Sequence, residues 1–533
     1  MTSGGNSGRG GAAAGIAVVL AAMALAAVVR LRTADTPLER DEGEYAYSGQ
    51  LILDGVPPYR LACNMKFPGT YYAYAGIMAV FGETPRGIRT GLLLVNAATA
   101  LLLFAIGRRL LGTVGGAAAA ACFSVFSLDL WIMGLFAHAT HFVLLPVLAG
   151  VYLLLRDEGR PRPATVLAAG ACLGLGVLMK QHGAAYLLLG AALLLRRGRR
   201  GAPASIALLA AGAALPAALL VAVLAAAGVL DRFWFWTFRY AAEYVTQRSP
   251  SEALGILFET ARTATAKSLP FWFAAAAGLV LSLATRPVRP GGRFTPAALL
   301  AASLLAICPG FHFREHYYIL LLPAAALLVG AAAATVDRFA ARLLPRRVAW
   351  LPAATGLLVL LCAFLAGERE TLFERSPREL SRLRYGSSPF IEMEVIGRVL
   401  RERTNPGDRI VVLGSEPETL FHADRRSATV YLYMYPLMED QPYALEMQEE
   451  MIAEVGAARP EYAIEVATPC SWGVGPDSER TLLVWTRAFL RRHYELIGVA
   501  DILSPTETRF AWDAEVLRYR PRSHWFVNVF RRK

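Results

Sequence analysis

The chain lacks the short sequences that mark soluble nucleotide or helical zinc chemistry: there is no G-x-G-x-x-G, no Walker A sequence and no H-E-x-x-H. Soluble nucleotide cofactors are therefore not indicated. Charge is scarce, at 18% of residues, and cysteine is scarcer still, with six in 533 residues. Cys63, Cys122, Cys172, Cys308, Cys362 and Cys470 have no paired short spacing, and several lie in apolar runs where they act as small hydrophobes. A bridge between Cys63 and Cys470 stays open. No internal repeat of the kind that marks many transporters is present.

What the chain does have is apolar length. Hydrophobic residues make up 55% of it and the mean hydropathy is +0.40, too apolar for ordinary soluble domains. Apolar runs near 11–29, 88–106, 113–131, 137–155, 163–179, 183–195, 203–228, 269–285, 296–311, 317–335 and 348–366 predict a polytopic α-helical membrane protein with about eleven spans. The stretch from Thr70 to Phe81 is shorter than a span and reads as an interfacial or re-entrant helix.

The formal net charge of +12 is carried by arginines in short segments between apolar runs: Arg108-Arg109, Arg156 to Arg162, Arg196 to Arg200, Arg286 to Arg293 and Arg338 to Arg347. With 70–81 left out of the span count, all of these fall on the side of the N-terminus. The positive-inside rule makes that side the cytoplasm, and anionic lipid headgroups, not nucleic acid, become the partners of those arginines. The first run reads as a retained anchor of a multi-pass protein in the cytoplasmic (inner) membrane.

Hydropathy collapses after Leu365, dividing the chain into a membrane domain, 1–367, and an external domain, 368–533. The external domain reads as α/β. Helical patterns from Ile391 to Arg403, Ala444 to Val455 and Arg480 to Arg492 precede strands at Arg409 to Leu413, Tyr462 to Val466 and Leu496 to Val499. Repeated helix-to-strand pairs predict a small, largely parallel sheet.

Most polar residues of chemical interest fall on the external side. After the first span comes Arg40-Asp41-Glu42-Gly43-Glu44-Tyr45, then Pro57-Pro58-Tyr59 and Lys66-Phe67-Pro68-Gly69-Thr70-Tyr71-Tyr72. Later segments add Lys180-Gln181-His182 and Phe311-His312-Phe313-Arg314-Glu315-His316-Tyr317-Tyr318. Ionisable groups near membrane depth are costly unless they pair or line a wet cavity, so their convergence on one face predicts a cleft there. Asp41 is the candidate base, against the alternative of a solvated acidic turn. Glu42 and Glu44 either tune Asp41 or bind substrate hydroxyls, and Tyr45 either stacks on a substrate or sits in the interfacial belt, the role expected of Tyr47. Tyr71 is a further substrate-binding candidate.

This first loop resembles that of the GT-C class of membrane glycosyltransferases, in the branch containing the dolichyl-phosphate-mannose protein mannosyltransferases and the aminoarabinose transferase of lipid A. Asp41-Glu42 matches the Asp-Glu pair of the former. Lys66 before Phe67-Pro68 is similar to the lysine of the latter's Lys-Pro-Pro segment, although the second proline is missing and Met65 stands where that relative has an acid. The resemblance implies Asp41 beside the reacting centre and Lys66 on the donor phosphate, with Arg314, His316 and Lys180 as further phosphate ligands. The implied activity is inverting transfer of a sugar from a polyprenyl-phosphate donor to a lipid, glycan or protein acceptor of the cell envelope, outside the cytoplasmic membrane. If the acceptor is itself a phosphate, Asp41 positions the donor instead of acting as base. No cofactor is assigned with certainty, no metal ligand is assigned, and a divalent metal stays open. The alternatives from other classes are a lipid or solute transporter and a non-catalytic scaffold.

Overall fold

A computed structural model describes residues 6–157, 161–198, 201–285, 289, 291–345 and 348–533. Arg160, Arg199, Arg200, Arg286, Arg346 and Arg347, counted in the basic loops, lie outside the described residues. The chain divides into two compact units, each assembled from separated segments. One comprises Met1–Thr33, Arg89–Ala222 and Val245–Arg375, and the other Ala34–Ile88, Val223–Tyr244 and Ser376–Lys533.

The first unit is helical, and the apolar runs of the sequence become its helices. Asn6–Arg32, Ala139–Arg156, Ala202–Ala226 and Leu322–Leu343 are among the long ones, while Pro163–Met179, Phe294–Ile307 and Leu351–Gly367 are shorter. Among the described residues, by length and composition, five helical segments suffice to cross a membrane, or six if the pair Pro250–Thr265 and Leu269–Ala284, bent by 111°, is one broken span. The runs at 88–106 and 113–131 meet at Gly112, whose φ of 85° breaks Pro85–Phe126 into two helices. That backbone conformation is open to glycine at little cost, and here it makes the turn of a helical hairpin.

Small residues set the helix spacing in this unit. A side chain at Gly115 would stand 2.8 Å from the Gly330 carbonyl oxygen, and one at Gly330 would stand 2.3 Å from that of Gly115. Lipid supplies no hydrophobic drive between helices, so such close backbone approach is where packing energy comes from. The first helix is tied in by the buried guanidinium of Arg30, which donates to the Gly134 and Ser127 carbonyls at 3.0 and 2.8 Å.

The second unit contains the sheet. Its strands are β1 (Arg409–Leu413), β2 (Arg426–Ser427), β3 (Tyr462–Val466), β4 (Tyr494–Ser504), β5 (Glu507–Trp512) and β6 (Phe526–Arg532), in the order β2-β1-β3-β6-β4-β5. β1 runs parallel to both β2 and β3, but β6 enters antiparallel between β3 and β4, and β5 is antiparallel to β4. The α/β class holds and the largely parallel expectation does not. Helix-to-strand pairs build the parallel half, whereas the last strand inserts into the middle of the sheet against the direction of its neighbours.

Two helices from early in the chain belong to this unit, Arg40–Leu53 and Gly69–Phe81. The second has 13 residues, about 20 Å of helix and too short to span. The first corrects the expectation of a loop or solvated turn: Glu39 caps it, accepting from the Glu42 amide at 2.9 Å, while the Glu42 carboxylate accepts from the Glu39 amide at 3.3 Å. Carboxylates in the first turn also complement the helix dipole. Cys63 is buried, Cys470 is exposed and all six cysteines are free, so the conceivable bridge is not formed.

Gly43 sets how closely the Arg40–Leu53 helix approaches the helix Glu418–Ala423. A Cβ there would lie 2.6 Å from the Glu418 amide nitrogen and 2.8 Å from its Cα, and backbone cannot move aside as a side-chain tip can. Gly43→Ala is expected to destabilise the protein by about 1–3 kcal/mol through overpacking. Gly456, in the helix Ala444–Ala458, has nothing within 4 Å of the corresponding position, so Gly456→Ala should stabilise by about 0.5–1 kcal/mol. Thermal unfolding of both variants in detergent checks the opposite signs.

Candidate functional site

The site in the second unit starts from the spacing of Asp41, Glu44 and Tyr45 on the capped helix. One helical turn separates Asp41 from Glu44 and Tyr45, so the three project to neighbouring positions on one face. Lys66 is brought to that face by a pinned connection. Cys63 forms an isolated parallel bridge with Tyr431, its amide donating to the Val430 carbonyl at 2.9 Å, and the Tyr59 hydroxyl donates to the Lys66 carbonyl at 2.7 Å.

The Lys66 ammonium donates to Asp41 Oδ1 at 2.7 Å and to Glu44 Oε2 at 2.6 Å. Glu44 is fully buried, and its other oxygen accepts from the Tyr71 hydroxyl. The Tyr433 hydroxyl lies 2.8 Å from Glu44 Oε2, and its ring, like that of Tyr45, stands beside the Lys66 ammonium, with centroids at 5.4 and 4.7 Å. Asp41 keeps a quarter of its side chain exposed, which leaves it reachable.

The charges follow from this enclosure. Burial pulls the Lys66 amine down, but the Asp41 and Glu44 carboxylates outweigh it and hold the group well above its ordinary value. Burial, then Glu44, push the phenols of Tyr71 and Tyr433 well up, so both remain hydrogen-bond donors. Burial, assisted by Asp41 and Glu42, pushes the Glu39 carboxyl up as well.

Asp41, Glu44, Tyr45, Lys66 and Tyr71 thus come together, while Glu42 is drawn back into the helix cap. Tyr47 does not join an interfacial belt: it is buried, and its hydroxyl accepts from the Ser427 amide at 2.8 Å. Lys180, Arg314 and His316 belong to the first unit. There the Lys180 ammonium stands 4.8 Å from the centre of the Tyr317 ring, and buried His316 meets the same ring edge-on at 4.7 Å while stacking on His138 at 4.4 Å. Arg314 is exposed and follows Phe311 and Phe313, both with positive φ, which bulky residues seldom adopt.

Tyr433 and Glu416 are not among the residues singled out from the sequence, and Arg40, paired with Glu416 at 2.8 Å, and Tyr59 are named there without a role. The alternating tyrosines at 431, 433 and 435 were the available signal for the first of these.

Against known proteins, residues 65–227 match the family model of dolichyl-phosphate-mannose-protein mannosyltransferases, a segment that includes Lys66 and begins after Asp41. No curated protein sequence matches significantly. Among solved structures, ArnT from Cupriavidus metallidurans bound to undecaprenyl phosphate is similar over 96% of this chain and 97% of its own, at 15% identity and a TM-score of 0.57. The archaeal oligosaccharyltransferase AglB from Archaeoglobus fulgidus, in complex with an inhibitory peptide and a dolichol-phosphate, aligns over 94% of this chain and 74% of its own, at 12% identity and a TM-score of 0.49. The fold is that of the GT-C class, as the first loop suggested. Together with the family match it supports a membrane glycosyltransferase of GT-C type.

Removing one member of a buried ion cluster leaves its partners uncompensated. Lys66→Met is expected to lower stability by about 3–5 kcal/mol, and adding Glu44→Gln should return part of that loss. Because the folded Lys66 pKa is raised, its contribution is fully present below the unfolded value near ~10.4 and is lost only as pH rises through the folded value. The Lys66 share of the penalty should therefore be flat from pH 7 to 9. Thermal unfolding of the single and double variants across that range is the measurement.

Proposed function

We propose that the protein is an inverting glycosyltransferase that moves a sugar from a polyprenyl-phosphate donor to a cell-envelope acceptor on the outer side of the cytoplasmic membrane. The donor would be undecaprenyl phosphate-linked in a bacterial cell. The N-terminus is then cytoplasmic, residues 1–367 form the membrane transferase domain, and 368–533 lie outside with the site.

The observation that carries this reading is the Lys66 ammonium within 2.7 Å of the partly exposed Asp41 carboxylate. Glycosyl transfer from a phosphodiester needs a base for the acceptor proton and a cation for the leaving phosphate on opposite faces of the sugar, so in the proposed step the bound donor parts the pair and the flexible Lys66 side chain swings to the phosphate. In the proposed step Asp41 takes the proton of the acceptor hydroxyl, whose oxygen bonds to the anomeric carbon from the face opposite the phosphate. The bond from the anomeric carbon to the phosphate oxygen breaks, its electron pair leaves with polyprenyl phosphate, and Lys66 stabilises the added charge. Glu44, held by Tyr71 and Tyr433, keeps the ammonium in place and is free to yield it in part to phosphate. Tyr45 and Tyr71, both buried and packed on each other, back the Lys66 and Glu44 side of the site, and Glu42 supports the helix that presents Asp41.

The undecaprenyl phosphate bound by the similar ArnT structure supports the donor class, and the fold resemblance supports transfer over transport. Lys180, His316 and Arg314 are candidate phosphate ligands of the first unit. An arginine there would grip phosphate oxygens in a bidentate fork and stay charged throughout.

In membranes supplied with radiolabelled polyprenyl-phosphate sugars, the wild type should transfer label, while Asp41→Asn at matched expression should lose roughly 10²–10⁴-fold in rate with donor KM little changed. Equal transfer by both proteins removes Asp41 as the base. Movement of lipid across the bilayer with no transfer from any donor replaces the reading with a transporter.

A further inference from the structure

Parallel α/β sheets bind their ligands at the carboxyl ends of adjacent strands whose connections leave in opposite directions. In the second unit that point lies between β1 and β3. The chain leaves β1 through the helix Glu418–Ala423 toward β2 on one side, and leaves β3 through the helix Thr481–His493 toward β4 on the other. The two loops that face each other there are Gly414-Ser415-Glu416 and Thr468 to Trp472.

These loops are built as a binding site. Ser415, Glu416 and Ser471 have no exposed surface. The Ser415 amide donates to Ser471 Oγ at 2.9 Å, Ser471 Oγ donates to Glu416 Oε2 at 2.5 Å, and the Ser415 hydroxyl donates to the Ser471 carbonyl. This network fixes the Ser415 carbonyl and the second Glu416 oxygen as a pair of acceptors, and Arg40 fills them. Its Nε donates to the Ser415 carbonyl at 2.6 Å and its Nη2 to Glu416 Oε1 at 2.8 Å, with the guanidinium carbon 5.6 Å from the Phe390 ring centre and 5.3 Å from that of Tyr435. Arg40 is the first residue of the helix that presents Asp41.

The same loop reaches the site a second time. Ser415 Oγ accepts from the Met434 amide at 2.9 Å, which fixes the segment bearing Tyr433, whose hydroxyl sits 2.8 Å from Glu44 Oε2 and 3.0 Å from the Arg40 carbonyl oxygen. One serine therefore anchors both Arg40, next to Asp41, and Tyr433, next to Glu44.

We propose that the ligand crevice of this α/β sheet holds no separate molecule but clamps Arg40, and that Glu416 and Tyr433 are positioning residues that set Asp41, Glu44 and Lys66 for glycosyl transfer. The inference rests on the function proposed above. Neither residue touches the reacting atoms: Glu416 acts through Arg40 and the helix start, Tyr433 through Glu44 and the ammonium it shares. A loss of about an ångström in such placement costs on the order of 100-fold in rate.

The test uses the full-length protein in proteoliposomes with a radiolabelled polyprenyl-phosphate sugar, normalised to folded enzyme by thermal unfolding. Tyr433→Phe removes one hydroxyl and keeps the ring, so it should fold; kcat should fall about 10- to 100-fold with donor KM within about twofold. Glu416→Gln should behave likewise, Glu416→Asp should recover part of the loss, and Arg40→Lys, which keeps the charge but not the fork, should not. Unchanged kcat per folded enzyme in Tyr433→Phe and Glu416→Gln overturns the inference, as does a rise in KM at constant kcat. Asp41→Asn run alongside separates the two claims. If it is inactive while the clamp variants keep full kcat, only the clamp is lost; if it transfers normally, the functional reading itself falls.

Discussion

A single ammonium shared between two carboxylates in an enclosed site is the constraint on which the rest of the second unit depends. Lys66 cannot sit beside Asp41 and Glu44 unless the remaining lone pairs of those groups are satisfied, because a buried charge with imperfect partners costs several kcal/mol. Tyr71 and Tyr433 meet that demand from two different parts of the chain, and Tyr59 holds the backbone of Lys66 itself. The capped helix, the pinned connection and the late tyrosine segment are all consequences of keeping that cation where it is.

The arrangement also explains why residues 376–533 are not an independent module. The sheet spends its most ligand-like crevice on an arginine from residue 40, and the strand-like passage from Ser427 to Tyr433 meets Tyr47, Cys63 and Glu44 in turn. Compactness follows these contacts, so Ala34–Ile88 groups with Ser376–Lys533 although hydropathy reads the chain in linear blocks.

Much of the candidate site was legible because it is local in sequence. Asp41, Glu44 and Lys66 fall within a short stretch between apolar segments, where carboxylates and a lysine are unusual and helical spacing brings the acids to one face. The helix itself was harder to see, since a glutamate cap at Glu39 is a weaker signal than serine or aspartate and Gly43 lowers helix propensity. Tyr433 and Glu416 were out of reach: their partners are hundreds of residues away, and no periodicity links a tyrosine in one segment to a glutamate in another. The antiparallel entry of β6 was hidden for the same reason, because a strand pattern reveals a buried face but not its neighbour. Tyr47 was misread because an aromatic near a membrane segment has two physical uses, and only its hydrogen bond to Ser427 distinguishes them.

The three-segment make-up of the second unit carries a temporal consequence. The helix bearing Asp41 and Glu44 leaves the ribosome early, and Lys66 follows almost at once, but Tyr433 and Glu416 appear only after nearly the whole membrane portion has been made. At ordinary synthesis rates of 5–20 residues per second the delay is roughly 20–80 s. For that interval Lys66 and Tyr71 are in place beside the two carboxylates, with Glu44 still lacking its second tyrosine. The nascent site is therefore assembled around its cation first and locked by its sheet last, so a chain truncated before Ser415 would hold every residue of the first unit's and second unit's early segments proposed for the chemistry, with Tyr59 and Tyr71 in place but without Glu416 and Tyr433.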